Sequence, residues 1–253
     1  MNAPNPAPCE LLPWDTEFFG RRIARVCGDT LKQEQVAEAD EWCRSNGIRG
    51  LYFLSRADDP ATIHSAEQNG FGLVDIRVTY EHLMLNLSDP DHALLPAGIS
   101  FRPVQTDDLP GLQAMARTGH EDTRFFSDAH FPRHRAEDLY STWITLEAQG
   151  RAQMVFVAAS AANQPFGYIT CHLDTNRWAG QIGLVGVSRE VRGKGIGKSL
   201  VLTALNWYKN QGLKKVTVVT QGKNRAAQRL YQQCGFLSSD LQLWYHKWYP
   251  VPD

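Results

Sequence analysis

The stretch Arg192-Gly193-Lys194-Gly195-Ile196-Gly197 constrains this chain more than any other, because three alternating glycines stand directly before a helical pattern. Glycine tolerates left-handed φ and leaves peptide N–H groups bare, so such a loop can form a nest for an anion. The apolar positions that follow, Ile196, Leu200, Ala204 and Trp207, recur at helical spacing. An anion in the loop would meet unpaired amides and the positive end of a helix dipole. Arg189, Arg192, Lys194 and Lys198 add positive charge at the same point, which suits a diphosphate. An ordinary glycine-rich turn is the alternative.

Two other phosphate motifs come close and fail. A dinucleotide fingerprint needs G-x-G-x-x-G, whereas the spacing here is G-x-G-x-G. A P-loop needs G-x-x-x-x-G-K-[ST]; Gly197-Lys198-Ser199 supplies its end, but Arg192 occupies the first glycine position. Asn224 then opens a second helix as a good N-cap, with Ala227, Leu230 and Cys234 on one face and Gly235 as a left-handed stop. Tyr231 falls at the edge of that stripe. Its plain reading is a packed ring with a wet hydroxyl.

Val185-Gly186-Val187, four residues, and then Arg192-Gly193-x-Gly195-x-Gly197 resembles the signature loop of the GCN5-related N-acetyltransferase (GNAT) family. The resemblance implies an α/β fold with a mixed central sheet, a splayed strand pair and flanking helices, and acetyl-CoA as cofactor. It makes Val185, Gly186 and Val187 the strand that pairs with pantetheine, and the loop from Arg192 through Lys198 the pyrophosphate holder. Asn224 matches a position that commonly contacts the cofactor. Tyr231 matches the tyrosine that many members use as general acid, and a phenol with a pKa near 10 can protonate a departing thiolate. The base varies in the family; water is expected here, with His172 on a hairpin strand a minor candidate and Gln181 near the same point. The flanking sequence agrees, with Gln153–Ser160 and Phe166–Leu173 reading as a hairpin around Asn163-Gln164-Pro165 and 214–220 as a strand.

Length leaves room for more than one such unit, since 253 residues can hold one large or two modest domains. Residues 1–10 read as a disordered lead-in, 11–97 as a small N-terminal α/β domain, and 98–253 as the catalytic domain, with Pro90, Pro96 and Gly98 marking the boundary. The N-terminal part reads strand 22–27, helix 33–45, strand 50–55, helix 61–69 and strand 73–85. Its end echoes the C-terminal part: Ala66 to Phe71 lies on Tyr231 to Phe236, and the match runs ungapped to Tyr80 on Tyr245. Ala66 stands where the acid would be, so a shared fold would make this half a degenerate GNAT-like lobe.

With 26 basic and 27 acidic residues the chain has no broad footprint for nucleic acid or an anionic membrane. Five cysteines without a C-x-x-C pair suggest neither a disulfide framework nor a zinc site, so no metal is expected and a reducing cytoplasm is. No signal peptide or run of transmembrane length is present in this sequence. Edge pairing between copies would give a homodimer.

A narrower resemblance spans most of the chain. Phe18-Phe19-Gly20, Arg124-Phe125 with Pro132, Tyr140 with Trp143-Ile144, Leu205-Asn206-Trp207, and Thr220-Gln221 with Asn224 resemble the bacterial group that acetylates the 4-amino group of dTDP-linked 4-amino-4,6-dideoxyhexoses. That implies a nucleotide-sugar acceptor and a place in surface-polysaccharide synthesis. Arg124, Phe125, Phe126, His130 and Phe131 combine an anion binder with flat rings suited to a second diphosphate and a base, or else form a packed turn. Trp143, at helical spacing from Leu139 and Leu146, reads as core. A peptide N-terminus as acceptor, or a CoA-binding regulator without turnover, are the competing classes.

Overall fold

A computed structural model of the chain describes residues 7–86, 98–174, 176 and 178–250. Two compact units emerge: one joins the residues up to Arg77 with those from Leu241 onward, and the other is Val78–Asp240. The expected boundary at 88–98 lies outside the described residues except for Gly98, as do residues 1–6 of the expected lead-in. Cys9 and Glu10, counted with that lead-in, instead open the first strand.

The first unit contains β1 (Cys9–Leu11), α1 (Pro13–Phe19), β2 (Ile23–Val26), α2 (Gln33–Ser45), β3 (Gly50–Arg56) and α3 (Pro60–Gln68). It also holds the start of β4 (Gly72–Leu83) and the end of β10 (Leu237–Trp248). Its strand order begins β1-β2-β3-β10, with β2 and β3 parallel and the other two pairings antiparallel. Val36, Ala39 and Cys43 of α2, Ala66 of α3, and Leu51, Phe53, Phe71 and Tyr245 from the strand side close one apolar core. The carboxylate of Asp59 caps α3 by accepting from the amides of Ala61 and Thr62 at 3.1 and 3.2 Å, worth about 1 kcal/mol. Helix α1 was not expected; Pro13 at its first turn and Gly20 at φ 64° give it a start and a stop.

The second unit contains β5 (Ile99–Pro103), α4 (Leu109–Gly119), α5 (Arg124–Ser127), α6 (Arg133–Leu146), β6 (Met154–Ser160), β7 (Pro165–Asp174) and β8 (Ala179–Val187). These are followed by α7 (Ile196–Asn210), β9 (Lys215–Gln221) and α8 (Arg225–Gln233). Strand order here is β4-β9-β8-β7-β6-β5; β5 through β8 pair antiparallel, and β8 pairs parallel with β9. The expected hairpin is β6–β7, with Asn163 at φ 61° in its turn. Helix α7 buries Ile196, Leu200, Val201, Ala204, Leu205 and Tyr208. Trp207, expected in that stripe, is only half-buried. Tyr208 takes the central place because Gly180 has no side chain: a Cβ there would lie 2.6 Å from its ring. The Tyr208 hydroxyl donates to Gln181 O at 2.7 Å and accepts from the His172 amide at 3.2 Å, pinning α7 to β7 and β8.

The sequence echo has a structural counterpart in each unit. Helix α3 ends with the Asn69 and Phe71 amides donating to Ala66 O, and α8 ends with the Cys234 and Phe236 amides donating to Tyr231 O. Gly70 (φ 79°) and Gly235 (φ 84°) make the same left-handed turn, and a 12-residue strand follows each.

Candidate active site

The backbone of β8 does two things that together open a site. Its parallel pairing with β9 runs from Ala179 opposite Lys215 to Ile182 opposite Val218 and stops, although both strands continue. Its pairing with β7 shifts register between Ile169–Val185 and Cys171–Ile182, which leaves one extra residue in β8 at Gly183–Leu184. Such a bulge bends a strand away from its neighbour. The Leu184 amide freed there donates to Thr170 Oγ1 at 2.8 Å, and a Cβ on Gly183 would sit 2.6 Å from that oxygen. Beyond this point Gly183–Val187 and Val219–Gln221 form two walls of a cavity of about 770 Å³, within the usual size range of ligand sites.

One end of the cavity is the glycine loop. Gly193 (φ 77°) and Gly195 (φ 82°) both hold the left-handed conformation, and Gly195 is the N-cap of α7. Gly197 has no such requirement; a Cβ there would make ordinary contact with Leu230 at 3.4 Å. Among the described residues, the amides of 193–198 donate to no turn, loop or cap carbonyl. They are a nest with its donors unspent at a helix N-terminus, which fits a diphosphate. Arg192, Lys198 and Arg229 line the same region, whereas Lys194 does not. Arg192 Nε donates to Val187 O at 3.1 Å, fixing the loop to the end of β8. Arg189 is engaged elsewhere, on Glu121 Oε2 at 2.9 Å and Thr118 O at 3.1 Å.

Helix α8 forms the facing wall. Asn224 spends its Oδ1 on the Ala227 amide at 3.0 Å and lines the cavity. Tyr231 is not at the margin of the helix's buried face but at its centre, 4% exposed, with ring centroids of Tyr80 and Phe236 at 6.1 and 5.9 Å. Its hydroxyl has no hydrogen-bond partner among the described residues, and the residue lines the cavity. Burial, with Cys234 a smaller influence, pushes its phenol well above the ordinary value, so it stays protonated.

At the other end the wall is Gly119, His120, Asp122, Thr123, Tyr140 and Trp143. Trp143, expected in the core, is half-buried and faces the cavity. Arg124, Phe125 and His130 are not in the wall. The Arg124 guanidinium lies 4.3 Å over the Phe125 ring, Phe125 packs edge-on against Phe131 and Trp143, and His130 Nδ1 is 2.8 Å from Asp128 Oδ1. His172 and Gln181 are also outside it. His172 Nε2 lies 2.8 Å from the buried carboxylate of Glu147, and Gln181 is its strand partner across β7–β8.

His120 was missed from sequence. It ends α4, half-buried, with Nε2 2.9 Å from the Tyr168 hydroxyl and its ring stacked on Tyr140 at 4.5 Å and 17°. Burial, then the charge of Arg192, pushes its imidazole pKa down to about 4. No group of three or more His, Cys, Asp or Glu among the described residues is placed to hold a metal.

Residues 117–236 match the model described as the Acetyltransferase (GNAT) family. A dTDP-fucosamine acetyltransferase from Escherichia coli O6:H1 is 26% identical over 95% of this chain and 98% of its own length. A mycothiol acetyltransferase from Paenarthrobacter aurescens is 28% identical over 79% of this chain, which spans about three-fifths (61%) of that relative. The crystal structure of a GCN5-related N-acetyltransferase from Sphaerobacter thermophilus superimposes with TM-score 0.70 over 97% of this chain and 78% of that one, at 18% identity. Among the described residues no helix is long and apolar enough to cross a membrane. The splayed strand pair, the bare glycine loop and the family match agree: residues 117–236 are a GNAT segment, and the chain is an acetyl-CoA-dependent N-acetyltransferase.

Proposed function

We propose that this enzyme acetylates the amino group of a nucleotide-linked amino sugar, in particular a dTDP-4-amino-4,6-dideoxyhexose. The observation that carries the reading is the end-to-end similarity to the E. coli dTDP-fucosamine acetyltransferase, which covers both units rather than the family segment alone. The half-buried ring of Trp143 with the carboxylate of Asp122 suits a sugar ring and its amine. In this reading the amides of 193–198 with Arg192 and Lys198 hold the pyrophosphate, Val185–Val187 pair with pantetheine, and Asn224 reaches the cofactor with its amide group. Acetyl-CoA supplies an activated thioester; Tyr231 gives its hydroxyl proton to the leaving sulfur. Five free thiols suit a reducing cytoplasm.

The test is thiol release from acetyl-CoA with a panel of dTDP- and UDP-linked amino sugars, and detection by mass of an added acetyl group. Transfer to a nucleotide-linked 4-amino sugar is expected. Transfer only to peptides would overturn the acceptor assignment and leave the enzyme class standing.

A further inference from the structure

The acceptor nitrogen must shed a proton before the amide is complete, and His172, the minor candidate from sequence beside water, is turned to Glu147 outside the cavity wall. Among the described residues that line the cavity, one carries an imidazole: His120. It is held from three directions. It terminates α4, Tyr140 of α6 stacks on one face, and Tyr168 of β7 meets Nε2 at 2.9 Å. Tyr168 is fully buried and reaches that position because Gly186, its strand partner on β8, has no side chain. A Cβ on Gly186 would lie 2.4 Å from the Tyr168 ring and 2.8 Å from its hydroxyl. Gly186 belongs to the splayed stretch of β8, so this bare position sets the imidazole beside the segment that opens the site.

We propose that His120 is the catalytic proton acceptor for the incoming nitrogen, and that Tyr168 is the positioning residue that fixes its ring. The inference rests on the acetyl-transfer reading of the same cavity. The new bond joins the acceptor nitrogen to the acetyl carbon as the carbon–sulfur bond breaks. The nitrogen's proton goes to His120 Nδ1, and the sulfur takes the proton of Tyr231. Exchange with water then returns a proton to Tyr231 and removes one from His120. The tautomer that does this directs the Nε2 proton at the Tyr168 oxygen and leaves the lone pair on Nδ1.

The groups around the ring agree with that role. Tyr168, raised by burial, stays a neutral phenol and acts as the partner of Nε2. Tyr140 from α6 is uncharged, Asp122 lines the wall two residues on, and Arg192 from the glycine loop is the cation that disfavours imidazolium. His120 is therefore neutral, with a lone pair available, throughout the neutral range. A diphosphate on the loop would offset the Arg192 charge, so donor binding should make His120 a stronger base.

Two measurements test this. In steady-state assays, His120→Ala and His120→Gln should both lower kcat by about 10²–10⁴-fold while acetyl-CoA binding by calorimetry is retained. Gln can accept and donate hydrogen bonds but cannot take up a proton, so recovery of rate in His120→Gln would reduce His120 to a packing role and overturn the proposal. Tyr168→Phe should cost about tenfold or less and shift the pH profile of kcat. By NMR of ring-labelled histidine in the free enzyme, His120 should titrate near pH 4, and the inflection should move upward on adding CoA; no movement would contradict the coupling through Arg192. A wild type that binds acetyl-CoA yet acetylates no amine sinks the parent reading and this one with it. A wild type that turns over beside an equally fast His120→Ala sinks only this one.

Discussion

Replacing Tyr231 by Phe removes one oxygen from a ring that is 4% exposed and packed near Tyr80 and Phe236. No protein hydrogen bond is lost among the described residues, and such a bond contributes only about 1 kcal/mol, so stability should hardly change. Catalysis should change a great deal. A leaving thiolate whose conjugate acid resembles cysteine, with a pKa of about 8.5, gains from a positioned phenol. Removing a general acid costs about 10²–10⁴-fold in kcat, or about 3–5 kcal/mol of barrier. The KM for acetyl-CoA should stay put, because the hydroxyl acts only as charge grows on sulfur. Since burial raises the phenol's pKa, wild-type kcat should show no alkaline loss from this group below about pH 10. The assay is continuous thiol detection at saturating acceptor, with donor affinity measured separately. A Phe variant with unchanged kcat would falsify the acid role and return Tyr231 to packing.

Gly186→Ala should destabilise the fold by about 1–3 kcal/mol, because its Cβ would fall 2.4 Å from the buried Tyr168 ring; urea unfolding measures this, and wild-type stability in the variant would contradict the close approach. Burial raises the phenols of Tyr168, Tyr208 and Tyr231. The folded state thus holds those protons more tightly than the unfolded chain, and their contribution is complete below about pH 10 and lost as pH climbs through the raised values. Thermal midpoints should fall above that pH, and a flat profile would show that the rings are not shielded. Trp143→Ala should raise the acceptor KM by about tenfold or less and spare the donor's; an unchanged acceptor KM would return Trp143 to the core.

Much of this arrangement is legible in residue order because it depends on backbone freedom. Gly193 and Gly195 had to be glycines to hold φ of 77° and 82°, and that requirement shows in sequence. The helix from Asn224 to Gly235 announces itself by its cap and stop for the same reason. What could not be read depends on which segments meet. His120 carries no local signal: it is one polar residue past a helix end, and only the packing of α4 between α6 and β7 brings it to Tyr140 and Tyr168. Trp143 follows its helix's apolar spacing as a core residue does, yet it lies half-buried in the cavity wall. Arg124 and Phe125 looked like a binding pair, and the structure stacks one on the other behind the wall. The extra residue at Gly183–Leu184 is invisible without its partner strand, since a bulge is a property of register. The last strand ends in the first unit, which linear order gives no reason to expect.

The most direct test is a calorimetric titration of acetyl-CoA into the wild type and into Gly195→Val. At φ 82° a branched residue is strained, by about 1–3 kcal/mol, and escape from that strain would turn the loop amides away from a diphosphate. Saturable binding by the wild type, lost in a Gly195→Val variant that remains folded by circular dichroism, is the expected result. Equal affinity in both proteins, or no binding by the wild type, would contradict the placement of coenzyme A on this loop.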